Sequence, residues 1–142
     1  MRIRVSDIPP SPPATGLYAT RNHVPLVARI LLSGLFLWSG VSKIFNFGGT
    51  EGYMQAYGMP LTSLFLIAAI AVELGGGLSL LLGYRARLGA IALIVFTLIA
   101  TLIFHTDFAD PMQQIMLMKN LAIVGGLLMV VQHGPGSTAV RW

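Results

Sequence analysis

Glu73, Arg29, Lys43 and Lys119 each interrupt a stretch of apolar and small residues of the length that crosses a bilayer. An ionisable group at that depth costs roughly 2.5–3.5 kcal/mol on insertion scales, so it faces protein or water and marks a functional site by default. Glu73 is the one deep acid, and the three bases stand on other stretches. Asn120, beside Lys119, adds an amide, and His105-Thr106-Asp107 adds an imidazole next to a carboxylate. Histidine is the side chain suited to proton exchange near neutral pH. Two readings of the set are open: a proton, ion or headgroup site, or a buried ion pair that fixes helix register. As a metal site, His105 with Asp107 and Asp110 is thin, one imidazole and two acids without recognisable ligand spacing, and no metal is expected.

The rest of the chain must position these groups in hydrocarbon. Of 142 residues, 55% are hydrophobic and only 10% charged, and the mean hydropathy is +0.76. Soluble domains carry about 25% charged residues. There is no cysteine, which excludes disulfides, thiolate metal sites, iron–sulfur clusters and a thiol relay on this chain. Nine basic and five acidic residues leave a net charge of +4. With no basic cluster interleaved with aromatics, the charge reads as membrane topology and not as nucleic-acid binding. No Gly-rich phosphate loop and no placeable Ser–His–Asp set is visible. A bis-histidine haem is disfavoured, since His105 falls at one boundary and His23 and His133 at the other.

Four membrane spans are expected, at about 25–47, 61–83, 88–104 and 111–132, within a transmembrane domain over 25–134. Pro25 suits a first helical turn, Gly58 and Pro60 break the chain before span two, and Gly134-Pro135-Gly136 ends span four. Asp110 followed by Pro111 reads as an N-cap, with Gln113 placed to close a capping box. Residues 1–24 are polar and carry Pro9, Pro10, Pro12 and Pro13. They are expected to form a disordered or extended cytoplasmic tail, not a cleavable signal, and residues 135–142 a second tail. Arg2, Arg4, Arg21, Arg85, Arg87 and Arg141 fall on one side of the spans, while loops 48–60 and 105–110 hold no Lys or Arg and three acids. Both termini are therefore expected in the cytoplasm.

In loop 48–60, Thr50 can cap a short helix lying in the interface, with Tyr53 and Tyr57 one turn apart. It serves either as an aromatic belt anchor or as a lid over an outward-facing pocket. Small residues (Ser33-Gly34, Ser39-Gly40, Gly75-Gly76-Gly77, Ser79, Gly125-Gly126) are expected to be packing faces. At about 1.5 Å per residue, Arg29 lies about 6 Å from the cytoplasmic ends, Glu73 about 15 Å, Lys119 about 20 Å and Lys43 about 27 Å. On depth alone Lys119 is within reach of Glu73, Arg29 could extend toward it, and Lys43 could equally snorkel to the outer surface. Lys119 and Asn120 point about 100° apart around their helix, so both need not face inward.

Taken in order, Arg29…Ser33-Gly34-Leu35-Phe36…Gly40-Val41-Ser42-Lys43-Ile44, Glu73-Leu74-Gly75-Gly76-Gly77…Leu82-Gly83 and Lys119-Asn120-Leu121…Gly125-Gly126 resemble the DoxX family. The stretches Tyr53-Met54-Gln55-Ala56-Tyr57-Gly58-Met59-Pro60 and Phe104-His105-Thr106-Asp107-Phe108-Ala109 look like its small inner-membrane members. The resemblance implies an all-α bundle of four transmembrane helices in the bacterial cytoplasmic membrane. Some relatives are subunits of quinone-linked oxidoreductases and others belong to redox or oxidative-stress complexes. The family's recurring charged positions map onto Arg29, Lys43, Glu73 and Lys119, with Asn120 beside the last. Without cysteine, direct sulfur chemistry is not expected here.

Three functions follow for comparison. The first is a membrane subunit of a quinone-linked system, with Glu73, Lys119, Lys43 and His105 around a pocket and electrons arriving from a redox partner subunit or a diffusible quinone. The second is a scaffold or interaction protein, alone or as a homo-oligomer, whose buried charges are structural. The third is a small-solute transporter. A cavity beside Glu73 favours the first or third, and a packed interior with Glu73 paired to a base favours the second.

Overall fold

The computed structural model describes residues 23–139; Arg2, Arg4, Arg21, Arg141 and nearly all of the expected N-terminal tail lie outside the described residues. The elements are α1 (Val24–Phe45), α2 (Phe47–Ala56), α3 (Thr62–Leu82), α4 (Ala86–Phe104) and α5 (Pro111–His133). All but α2 are long and apolar enough to cross a membrane. The distribution of side chains agrees with hydrocarbon as solvent. Trp38, Leu31, Leu102 and Phe45 are exposed, whereas Arg29, Ser33, Glu73, Thr97 and Thr101 are buried.

Local chemistry explains the breaks. Pro25 lies in the first turn of α1, where its missing N–H costs nothing. Gly83 ends α3 in the left-handed region at φ 76°, and Leu61 and Arg85, both non-glycine, enter the following helices at φ 50° and 47°. Asp110 caps α5 by accepting from the Met112 amide at 2.8 Å. The capping box expected from Gln113 does not form, because its side-chain oxygen accepts instead from His105 Nδ1 at 2.7 Å. Thr50 is not the cap of α2. That helix starts three residues earlier, at Phe47, and the Thr50 hydroxyl donates back to the Asn46 carbonyl within the first turn.

The four long helices run alternately up and down. We call the end with Val24, Leu82, Ala86 and His133 basal and the end with α2 and loop 105–110 distal. Neighbours α1–α3, α3–α4 and α4–α5 pack along their lengths, while α1 meets α5 over a shorter stretch. Glycine sets the close approaches. A Cβ on Gly76 would lie 2.6 Å from Leu93 Cγ, one on Gly77 would meet Leu37, and one on Gly40 would meet Leu74 and the Glu73 Cβ. Gly34, Gly75 and Gly125, expected as packing positions, face open space, since the contact stripe of each helix passes one residue to the side. The core of Phe36, Leu80, Ala86, Ala90, Leu93, Leu127 and Val130 fills the basal half.

α2 folds across the distal end onto α3 and α1. Glu51 Oε1 accepts from the Ser63 hydroxyl and, at 3.2 Å, from the Thr62 hydroxyl, which ties α2 to the first turn of α3. A Gly76→Ala substitution should overpack against Leu93 and lower stability by about 1–3 kcal/mol. Gly125→Ala, with nothing to meet, should be near neutral. Unfolding in mixed micelles followed by circular dichroism checks the contrast.

Candidate functional site

Glu73 stands near the middle of α3 and is 3% exposed. Lys43, near the distal end of α1, bends its stem back toward the bundle centre and places Nζ 3.0 Å from Glu73 Oε1. Ser39, one turn earlier on α1, completes the group. Its hydroxyl donates to the same oxygen at 2.8 Å and accepts from Lys43 Nζ at 2.6 Å. The 39/43 spacing puts both side chains on one face of α1, and Gly40 between them lets that face approach Glu73.

Charge assistance makes each of these bonds stronger than a neutral one. They all fall on Oε1, however. Glu73 Oε2 is buried with no hydrogen-bond partner. The register that sets Gly76 against Leu93 and Gly89 against Ser79 carries Glu73 level with Val95–Phe96 on α4. The Thr97 hydroxyl is likewise buried and without a partner. Two orphan polar atoms thus stand near mid-span on neighbouring helices.

A polar seam leads away from Thr97 along α4. Asn120 Nδ2 on α5 donates to the Thr101 hydroxyl at 2.9 Å, which donates to the Thr97 carbonyl at 2.6 Å. His105, one further turn on, is bonded to Gln113. Thr97 and Thr101 therefore share a face of α4 at i and i+4, and His105, the residue just past the helix, continues the four-residue spacing.

The sequence-derived candidates divide accordingly. Glu73 and Lys43 come together, and snorkelling is not the role of Lys43. Lys119 is exposed, its Nζ 3.2 Å from Met116 Sδ on its own helix, and it does not meet Glu73. Asn120 is the inward member of that pair of neighbours. Arg29 is buried at the basal end, away from Glu73: Nη1 donates to the Leu80 carbonyl at 3.3 Å, and Nη2 donates to the Thr138 carbonyl and hydroxyl at 3.4 and 3.1 Å. His105 stays in the distal loop, bonded to Gln113. Ser39, Thr97 and Thr101 were not among the candidates. The four-residue spacing of Ser39 to Lys43 and of Thr97 to Thr101 to His105 was the signal that could have found them.

Two surface hollows, about 430 and 310 Å³, lie at the basal end, lined by His23, Val24, Val27, Ala28 and Leu31 and by Gly83, Arg85, Ala86, Arg87, Leu88 and Pro135. Neither borders Glu73. Among the described residues no group of three His, Asp or Glu is gathered that could hold a metal ion. At the distal surface Tyr53 packs with Tyr57 (5.0 Å between centroids) and Phe104 (5.4 Å), and its hydroxyl donates to that of Tyr57 at 3.3 Å. Burial, then the Tyr57 hydrogen bond and charge, push the Tyr53 phenol up from 10.0 to about 12.

Four antiparallel membrane-spanning helices enclosing a charged pair define the class, a small polytopic membrane protein. The chain belongs to the DoxX family, whose model matches residues 24–106. It is 43% identical over 115 residues to the Escherichia coli (strain K12) inner membrane protein YqjF, covering 81% of this chain and 87% of the relative. It is 32% identical over 127 residues to inner membrane protein YphA of the same organism, covering 86% and 91%. No solved structure matches the chain.

Lys43→Met should leave a buried carboxylate without its cation and lower stability by about 3 kcal/mol, whereas Lys43→Met with Glu73→Met should recover much of that loss. Glu51→Gln, at the surface, should cost no more than about 1 kcal/mol. Denaturant unfolding of the four proteins in micelles checks this, and equal losses in the single and double variants would refute it. For Tyr53, a phenol raised in the folded state contributes stability that is whole below pH 10 and is lost as pH climbs toward 12. Absorbance titration at alkaline pH should show one late tyrosine, absent in Tyr53→Phe and shifted back toward 10 in Tyr57→Phe.

Proposed function

We propose that this protein is a membrane subunit of a quinone-linked redox system, with both termini in the cytoplasm, and that Glu73 is its substrate-facing acceptor. The supporting observation is the half-used carboxylate. Lys43 and Ser39 hold Oε1, and the buried Oε2 has no partner. An unmade bond at such an atom costs roughly 1–3 kcal/mol, which a hydroxyl donor from a bound molecule would relieve. A quinol carries such a hydroxyl, and an apolar ring suits the surrounding side chains. The unpartnered Thr97 hydroxyl on the neighbouring helix could donate to a quinone carbonyl. Lys43 and Ser39 hold Glu73 in place, so a proton passed from a bound quinol would meet a fixed acceptor. Bound quinone would supply the two-electron chemistry, exchanged with a partner subunit or the membrane pool.

The orientation rests on Arg85 and Arg87 at the basal end against Glu51, Asp107 and Asp110 at the distal end. A second reading, a scaffold in which the pair only fixes the α1–α3 register, is favoured by the pairing of Glu73 with Lys43, by the two hollows lying away from Glu73, and by the packing of Gly40 directly on Glu73 and Leu74.

Native mass spectrometry of protein released gently from bacterial membranes separates the two. Wild-type protein should retain quinone, and Glu73→Gln should lose it while keeping its helical content. Quinone absent from both, with only the melting temperature changed in the variant, would support the scaffold.

A further inference from the structure

We infer that the hollow between the α3–α4 turn and the segment after α5 recognises the phosphate of an anionic phospholipid. Two arginines, Arg85 and Arg87, are among the residues that line it, around a volume of about 310 Å³. Among the described residues neither arginine makes a salt bridge. Arg85 lies over the Tyr84 ring at 5.7 Å, and Arg87 runs beside Gly134. A third guanidinium stands behind the wall. Arg29, 1% exposed, is packed against Gly83, and its Nε has no hydrogen-bond partner.

Among the described residues the basal end holds no acid to balance these charges. Glu51, Asp107 and Asp110 lie in the distal segments, and Glu73 is committed to Lys43. The two arginines of the rim stand at the level where helices leave hydrocarbon, and the anions available there are lipid phosphates. A basic pocket between transmembrane helices is the form such recognition takes. Free phosphate offers the same chemistry, but the rim favours a lipid, because Leu82, Tyr84 and Leu88 flank the hollow and are 51%, 45% and 59% exposed, ready to hold acyl chains. Arginine charge spread by the positive-inside rule alone would attract anionic headgroups diffusely and at no fixed stoichiometry. The site is independent of any role of Glu73.

The test uses the full chain in micelles and native mass spectrometry with phosphatidylglycerol, phosphatidylethanolamine of equal chain length, and inorganic phosphate. Wild-type protein should prefer phosphatidylglycerol by on the order of tenfold. Arg85→Gln with Arg87→Gln should abolish the preference, and each single variant should reduce it about threefold, which keeps the test usable if the double variant fails to fold. No preference in the wild type, or one that survives both substitutions, overturns the site. Saturable phosphate binding that displaces no lipid overturns the lipid assignment.

Discussion

A carboxylate carried into the middle of a bilayer must be met by a cation before its helix can settle, and much of this bundle follows from how Glu73 is met. Lys43 starts far along α1, so its stem has to run back past Ser39 to reach Oε1. That reach works only if the α1 and α3 backbones are close. Gly40 and Gly77 provide the closeness, each leaving room for a leucine of the facing helix. Charge pairing and small-residue packing are thus one constraint: a larger side chain at 40 would push apart the faces whose charges need each other.

The basal end solves a similar problem with different chemistry. Arg29 is buried without a carboxylate and donates to the Leu80 carbonyl in the last turn of α3, where the helix dipole is negative, and to Thr138 beyond α5. Gly83 leaves the space for that guanidinium. α1 therefore grips α3 twice, through Glu73 at mid-span and through Leu80 at the end. α4 and α5 form a second pair joined by Asn120 and Thr101.

Elements of low ambiguity were legible in the sequence. Apolar runs punctuated by Pro25, Gly58, Pro60, Gly83 and Asp110-Pro111 place the four long helices within two residues of the expected ends, since hydrocarbon allows little else for such segments. The partner of Glu73 was not legible. Depth ranks Lys119 nearer than Lys43, yet a lysine stem spans more than one helical turn, so rise per residue could not decide between them. Which way Lys119 turns depends on the rotation of α5, and the two neighbours it shares with Asn120 differ by about 100°. The glycines failed for the same reason. Gly75 and Gly76 read alike in sequence, but only Gly76 meets Leu93. Composition identifies a face of small residues without fixing its angle. The seam through Thr97 and Thr101 was overlooked because neutral hydroxyls in a helix back-bond to their own backbone and leave no charge signal.

The choice of lysine at position 43 bears on function. An arginine in that place could engage both carboxylate oxygens through its planar fork and close the site. Lysine is a point charge. With Ser39 it concentrates on Oε1 and leaves the buried Oε2 without a partner. Arg29, elsewhere in the same chain, bonds three acceptors where the task is to close a helix end. A bundle that asked only for a locked register at Glu73 would be better served by that second solution. Lys43 fixes the acid and leaves Oε2 with hydrogen-bonding capacity unused, and the proposed binding role rests on that unused capacity.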